Sequence, residues 1–161
     1  EQKDTMIRLT IARHAKSDWS DGALSDHDRP LNRRGERDAP LVAARFTEAD
    51  VHPAVLLSST AVRALTTARV FGDALGLPVD ARQDLYGASA DELLSAATSS
   101  GADDVMIVAH DPGMTDLAGR LSRGRIDRMP TCAIATFAWE TDDWTLVDAI
   151  EPASWDHLTP R

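Results

Sequence analysis

The sequence predicts an α/β fold, a three-layer sandwich around a mostly parallel central sheet with an antiparallel hairpin at its C-terminal end. Three observations point there. Short β-branched or apolar runs alternate with helical stretches along the 161 residues; the Asp104–Ala109 run is apolar almost throughout, as a strand covered on both faces must be; and two alternating runs lie near the end of the chain. With 43% apolar residues the chain can bury one core and is too short for two comfortable domains, so residues 6–161 are expected to form a single domain.

Residues 1–5 precede the methionine that opens the first apolar run and read as an expression remnant or a frayed, disordered terminus outside the fold. Residues 6–12, Met-Ile-Arg-Leu-Thr-Ile-Ala, form the first strand, which stops abruptly at the polar Arg13-His14-Ala15-Lys16-Ser17. Residues 18–31, rich in Asp, Ser, Gly and Pro without periodicity, read as a surface loop. Asn32 then caps a helix over 33–49 with a partial apolar face at Leu41, Val42, Ala44 and Phe46, weakened early by Gly35 and Pro40. The apolar run 53–58 is a buried strand, Ser59 and Thr60 are caps for a helix over 61–75, and Gly76 closes that helix. A weak strand at 78–81 and a helix at 91–99 lead to Asp104–Ala109, the clearest strand. His110-Asp111-Pro112-Gly113 turns into a helix through Leu121, with proline where its missing N–H is harmless. Residues 133–139 and 144–150, joined by 140–143, read as the hairpin.

The formal charge of −9 argues against a sequence-independent grip on nucleic acid or on an anionic membrane. Any phosphate bound here needs a local cluster of arginines. No apolar run of about 18 residues and no export pattern occurs, so a cytoplasmic protein is expected. The single cysteine, Cys132, lies in an alternating run and reads as an inert core thiol; no arginine follows it as in a cysteine phosphatase.

Ligands of open α/β sheets bind at the carboxyl ends of the strands, and chemistry-bearing residues collect there. Arg13 and His14 follow the first strand, Ser58, Ser59 and Arg63 the second, and His110 the clearest one. Guanidinium forks grip phosphate oxygens without losing charge, a neutral imidazole can accept a phosphoryl group, and a second, protonated one can donate to an oxygen. Such a site balances the phosphoryl charge with protein groups and requires no metal or other cofactor.

In order and context, Arg13-His14, Arg63 and His110 resemble the histidine phosphatase superfamily, the phosphoglycerate-mutase-like enzymes, with Ala15 where the family has glycine. Arg-His-Ala-Lys-Ser-Asp-Trp at 13–19 and Asp-Arg-Pro-Leu-Asn-Arg-Arg-Gly at 28–35 look most like the short SixA-type phosphohistidine phosphatases. The resemblance implies that His14 is the phosphorylated nucleophile and that Arg13, Arg63 and His110 form the phosphate pocket. It implies a metal-independent phosphatase acting on phosphohistidine in a protein, such as a phosphorelay or carrier protein. A small-phosphoester phosphatase and a silent phosphoprotein-binding relative remain as alternatives. Ser17, Arg29 and Lys16 are expected near the substrate. Where larger relatives carry a leaving-group acid the sequence has Asp84-Leu85-Tyr86-Gly87, which leaves Asp18, Asp21, Asp84 and Asp111 as open candidates.

Several polar residues read as bystanders. His27, His52 and His157 are expected in solvent, and Asp26-His27-Asp28 is discounted both as a metal site and as an aspartate-nucleophile motif because no apolar strand precedes it. Arg29, Arg33, Arg34 and Arg37 form a possible basic rim. Trp19, Trp139, Trp144 and Trp155 read as packing residues, with Trp19 alone near the site.

Overall fold

The computed structural model describes residues 6–160; the terminal segment 1–5 lies outside the described residues. Six strands, β1 (Ile7–Arg13), β2 (Val55–Ser59), β3 (Val79–Arg82), β4 (Asp104–Ala109), β5 (Ile134–Trp139) and β6 (Ser154–Leu158), make one sheet in the order β3-β2-β4-β1-β5-β6. The first four in that order are parallel, while β5 runs antiparallel to both β1 and β6. Four helices, α1 (Arg33–Glu48), α2 (Val62–Leu75), α3 (Ala90–Thr98) and α4 (Gly113–Leu121), cover its faces. The expected three-layer α/β architecture is the one observed.

The period of two in each strand divides the core. Val105, Ile107 and Ala109 of β4 pack with Leu93, Leu117 and Leu121 of α3 and α4. Met106 and Val108 face the other way, against Val42, Phe46, Ala64 and Phe71 of α1 and α2. Both faces of a central parallel strand are thereby dry, which is why its sequence is a continuous apolar run.

Local rules place the ends of the elements. Asn32 caps α1 by accepting from Gly35 N–H, and Gly76, at φ +70°, ends α2. Gly35 does more than weaken a helix: a Cβ there would lie 2.1 Å from Lys16 O, so glycine lets α1 close on the segment that follows His14. Ser59 and Thr60 do not cap α2. The cap position falls to Ala61, whose side chain makes no such bond, while Ser59 Oγ accepts from Ala61 N–H at 3.1 Å.

The hairpin forms with a different second arm. Residues 144–150 are not a strand, because the Asp143 side chain accepts from Thr145 N–H and turns Trp144–Leu146 into a short 3-10 helix. Trp144 then donates to Ala102 O at 2.9 Å, and Val147 enters the core. The arm that pairs with β5 is β6, with Phe137 opposite Trp155. Cys132 is buried as expected, but it sits in a left-handed turn, φ +63°, just before β5, where burial pushes its thiol up to about 12. Among the tryptophans Trp139 is fully buried, Trp144 and Trp155 are half-buried, and Trp19 is 73% exposed and does not serve packing. No helix among the described residues is long and apolar enough to cross a membrane.

Candidate active site

Because β1, β2 and β4 are parallel neighbours, their carboxyl ends present Arg13, Ser59 and His110 side by side. His14 leaves β1 with its N–H still bonded to Ala109 O at 3.1 Å, which sets the two histidine rings 5.1 Å apart between centroids. Arg63 reaches the same place from the first turn of α2. Together with Lys16, Ser17, Trp19 and Arg29 these side chains line a cleft of about 210 Å³.

The imidazole of His14 is fixed in one tautomer. Its Nδ1 lies 2.7 Å from Ala15 O, and a carbonyl can only accept, so the proton resides on Nδ1 and Nε2 keeps its lone pair. Ala15 is itself anchored, its N–H donating to Thr67 Oγ1 at 3.0 Å, and its backbone is not left-handed, so the position does not demand glycine. Burial above all lowers His14 to about 3 and His110 to about 4. Burial thus favours the neutral form of both rings near pH 7, where the sequence reading allowed for a protonated second imidazole. His110 Nε2 lies 2.8 Å from Ser59 Oγ, whose own hydrogen is free to donate because it accepts from Ala61 N–H. With Ser59 O–H as the donor in that pairing, the proton of His110 sits on Nδ1, the ring nitrogen without a protein partner.

Three buried nitrogens of the cleft residues have no hydrogen-bond partner: Arg13 Nε, Arg63 Nε and His110 Nδ1. Unpaired buried donors are costly, and their coincidence beside an imidazole with a free lone pair is what an oxyanion would relieve. Arg13 is held from behind, donating to Met129 O at 3.1 Å with Asp111 at 3.4 Å. Arg29 donates from Nη1 to Ser17 Oγ and lies flat under Trp19, its Cζ 3.4 Å from the ring centroid.

Arg13, His14, Arg63, His110, Ser17, Arg29 and Lys16 are thus gathered at one cleft, as the sequence suggested. Of the four open carboxylates only Asp111 lines it. Asp18, half-buried, and Asp21, exposed, accept from Ser20 and Ala23 in their own loop, and Asp84 is paired with Arg82 at 2.7 Å. Asp26 is the omission. It accepts from Arg29, Arg63 and Tyr86, so the discounted Asp26-His27-Asp28 segment belongs to the site. His27 is correspondingly not a solvated bystander: its Nε2 lies 2.9 Å from Thr60 Oγ1 and its ring stands edge-on to Tyr86. His52 is exposed as expected, whereas His157 sits in β6, where burial lowers it. Arg33, Arg34 and Arg37 are exposed on the first turns of α1.

The family model for the histidine phosphatase superfamily (branch 1) matches residues 9–93. An uncharacterized chloroplastic protein of Arabidopsis thaliana is 29% identical over 162 residues, spanning 92% of this chain and 74% of its own length. Among solved structures, a protein assigned as a phosphohistidine phosphatase SixA from Agrobacterium tumefaciens superposes with a TM-score of 0.79 at 25% identity, over 96% of this chain and 99% of that one. A protein histidine phosphatase SixA complexed with tungstate superposes with a TM-score of 0.77 at 24% identity, over 96% and 97% of the two chains.

Proposed function

The chain belongs to the histidine phosphatase superfamily, and on that premise we propose that it is a metal-independent phosphatase that forms a phosphohistidine on His14, with phosphohistidine in a protein as its substrate. The observation that carries the reading is the His14 ring itself: proton on Nδ1, free lone pair on Nε2, neutral at working pH, beside two guanidinium groups.

In the first step His14 Nε2 attacks phosphorus, and the bond from phosphorus to the leaving atom breaks. The electron pair departs with that atom, which takes up a proton. In the second step water attacks the phosphohistidine, its proton is lost, and inorganic phosphate leaves with His14 Nε2 restored as a lone pair. Arg13 and Arg63 hold the equatorial oxygens through both steps, and His110 Nδ1–H donates to one of them. Asp111, bonded to Thr115 and 3.4 Å from Arg13, is the one of the four open carboxylates that lines the cleft, and as a resting carboxylate it relays the leaving-group proton from water rather than storing it. A leaving imidazole is itself readily protonated and asks less of that acid than an alkoxide.

The size of the cleft supports a macromolecular substrate. About 210 Å³ falls below the ~300–1,000 Å³ that encloses a typical small ligand, so it suits a phosphoryl group carried in on a protein side chain. The tungstate held by a SixA neighbour is a tetrahedral oxyanion of the kind this pocket would take.

Acid-quench trapping with phosphorus-labelled substrate tests the reading. The wild-type protein is expected to retain label that survives alkali and decays in acid, as a phosphoramidate does, and His14→Ala should retain none. Label on His14→Ala equal to wild type, or acid-stable label, refutes the mechanism. Faster turnover of small phosphoesters than of a phosphohistidine protein refutes the substrate assignment.

A further inference from the structure

The loop between β1 and α1 joins the cleft through a single carboxylate. Asp26 Oδ1 accepts from Arg29 Nε at 3.3 Å and Nη2 at 2.9 Å, and Oδ2 accepts from Arg63 Nη2 at 2.9 Å and Tyr86 O–H at 2.6 Å. Its backbone oxygen accepts from Arg63 Nη1 at 2.6 Å. One residue therefore ties the loop to α2 and to the segment after β3.

We infer that Asp26 is a positioning residue for phosphoryl transfer, holding Arg63 and Arg29 in register at the cleft and offsetting part of their charge, with Tyr86 holding Asp26 in turn. The inference rests on the phosphatase reading, and two arguments carry it. The first is geometric. Both Nη atoms of Arg63 donate to Asp26, which holds the guanidinium from one side, while its Nε has no protein partner. A fork pinned on one side presents its other side in a fixed direction, and that pre-organisation is what separates a phosphate-binding arginine from a transfer-competent one.

The second argument is charge. Arg13, Lys16, Arg29 and Arg63 line the cleft, both histidines are neutral, and Asp26 and Asp111 supply the nearby carboxylates. Four positive and two negative charges leave about +2, which matches a phosphoryl group of about −2. Without Asp26 the pocket would hold its anionic product more tightly and align it less well. Binding gained equally by ground state and transition state does not speed the chemistry.

Tyr86 is the residue through which the segment after β3 reaches Asp26. Its hydrogen bond to Asp26 raises its hydroxyl above the ordinary range, which makes it a poor proton donor to a leaving group and a persistent donor to the carboxylate. Its ring also stands edge-on to His110, 5.6 Å between centroids, so the same residue braces both.

The test compares Asp26→Asn and Tyr86→Phe with wild type in two measurements, turnover of an aryl phosphate and calorimetric titration with inorganic phosphate. Asp26→Asn is expected to lose ~10- to 100-fold in kcat while binding phosphate about two- to fivefold more tightly. Tyr86→Phe should lose about two- to fivefold in kcat with KM unchanged. A defect that merely loosens the fold would weaken phosphate binding together with kcat, and that outcome overturns the inference, as does wild-type kcat in Asp26→Asn. Should Asp26→Asn fail to fold, Tyr86→Phe, altered at a residue 37% exposed, decides: unchanged kcat overturns the inference. Phosphate titration needs no turnover, so an inactive wild-type protein would sink the phosphatase reading and leave the Asp26 test standing.

Discussion

In the half of the sheet made of β3, β2, β4 and β1 every strand runs the same way, and each delivers a polar residue to one edge: Tyr86 after β3, Ser59 at the end of β2, His110 after β4 and Arg13 at the end of β1. In the half made of β5 and β6 the chain reverses, and none of the residues lining the cleft comes from either strand. The second half packs instead, with Trp139 fully buried and its ring stacked 6.0 Å from that of Phe137. Parallel strands need long crossovers, yet those crossovers concentrate strand ends at one place, and a site for one small anion needs that convergence. The antiparallel half gains burial with a shorter connection and has no common edge to offer.

If that division of labour holds, changes in the two halves should separate activity from stability. His110→Ala should give the larger effect: a loss of ~10³-fold in kcat, as expected when one donor to the transferring group is removed, with the melting temperature little changed. Steady-state kinetics on a folded variant checks this. A loss below about tenfold would mean that the edge of β4 supplies shape rather than chemistry.

The parallel half should also carry most of the acid sensitivity of the fold, with His157 of β6, lowered by burial, adding to it in the same direction. His14 and His110 titrate near 6.5 in the unfolded chain but at about 3 and about 4 when folded, so the unfolded state binds more protons between those values. Their stabilising contribution is fully present above pH 6.5 and is lost as pH falls toward 4. Asp104, at the far end of β4, opposes them: burial raises it to about 6, so the folded state holds its proton in part of the same window. The net expectation is a loss of about 2 kcal/mol between pH 7 and pH 5, read by denaturant unfolding. Asp104→Asn should steepen that slope and His110→Ala should flatten it. Equal slopes in both variants would break the assignment.

The same contrast explains what could be read from sequence. A central parallel strand must be apolar on both faces, so β1 and β4 stand out as runs that end abruptly at Arg13-His14 and His110, and the site was found at those breaks. The second hairpin arm is hard to read because residues 144–150 carry the more apolar alternation, whereas β6 reads Ser-Trp-Asp-His-Leu and is polar on one face. The turn that decides between them depends on two hydrogen bonds that the Asp143 carboxylate accepts from Thr145. Asp26 was passed over for another reason. Its partners Arg63 and Tyr86 lie 37 and 60 residues away, and such contacts leave no local period or spacing to detect.

The smallest effect is the sharpest test of the antiparallel half. Trp155 lies in β6, half-buried, opposite Phe137 and against the core beneath α3 and α4. Cross-strand aromatic pairs contribute a few tenths to one kcal/mol beyond burial, and only part of this ring leaves water. Trp155→Ala is therefore expected to cost about 1 kcal/mol in unfolding free energy, with kcat/KM unchanged. None of the residues lining the cleft lies in β6, so the loss has no direct route to the phosphoryl group. A variant that kept its stability but lost activity would show that β5 and β6 hold the cleft open from behind, through the bonds Arg13 N–H makes to Ala133 O and Arg13 O accepts from Cys132 N–H just before β5. That result would replace the division between the two halves with a single mechanical unit.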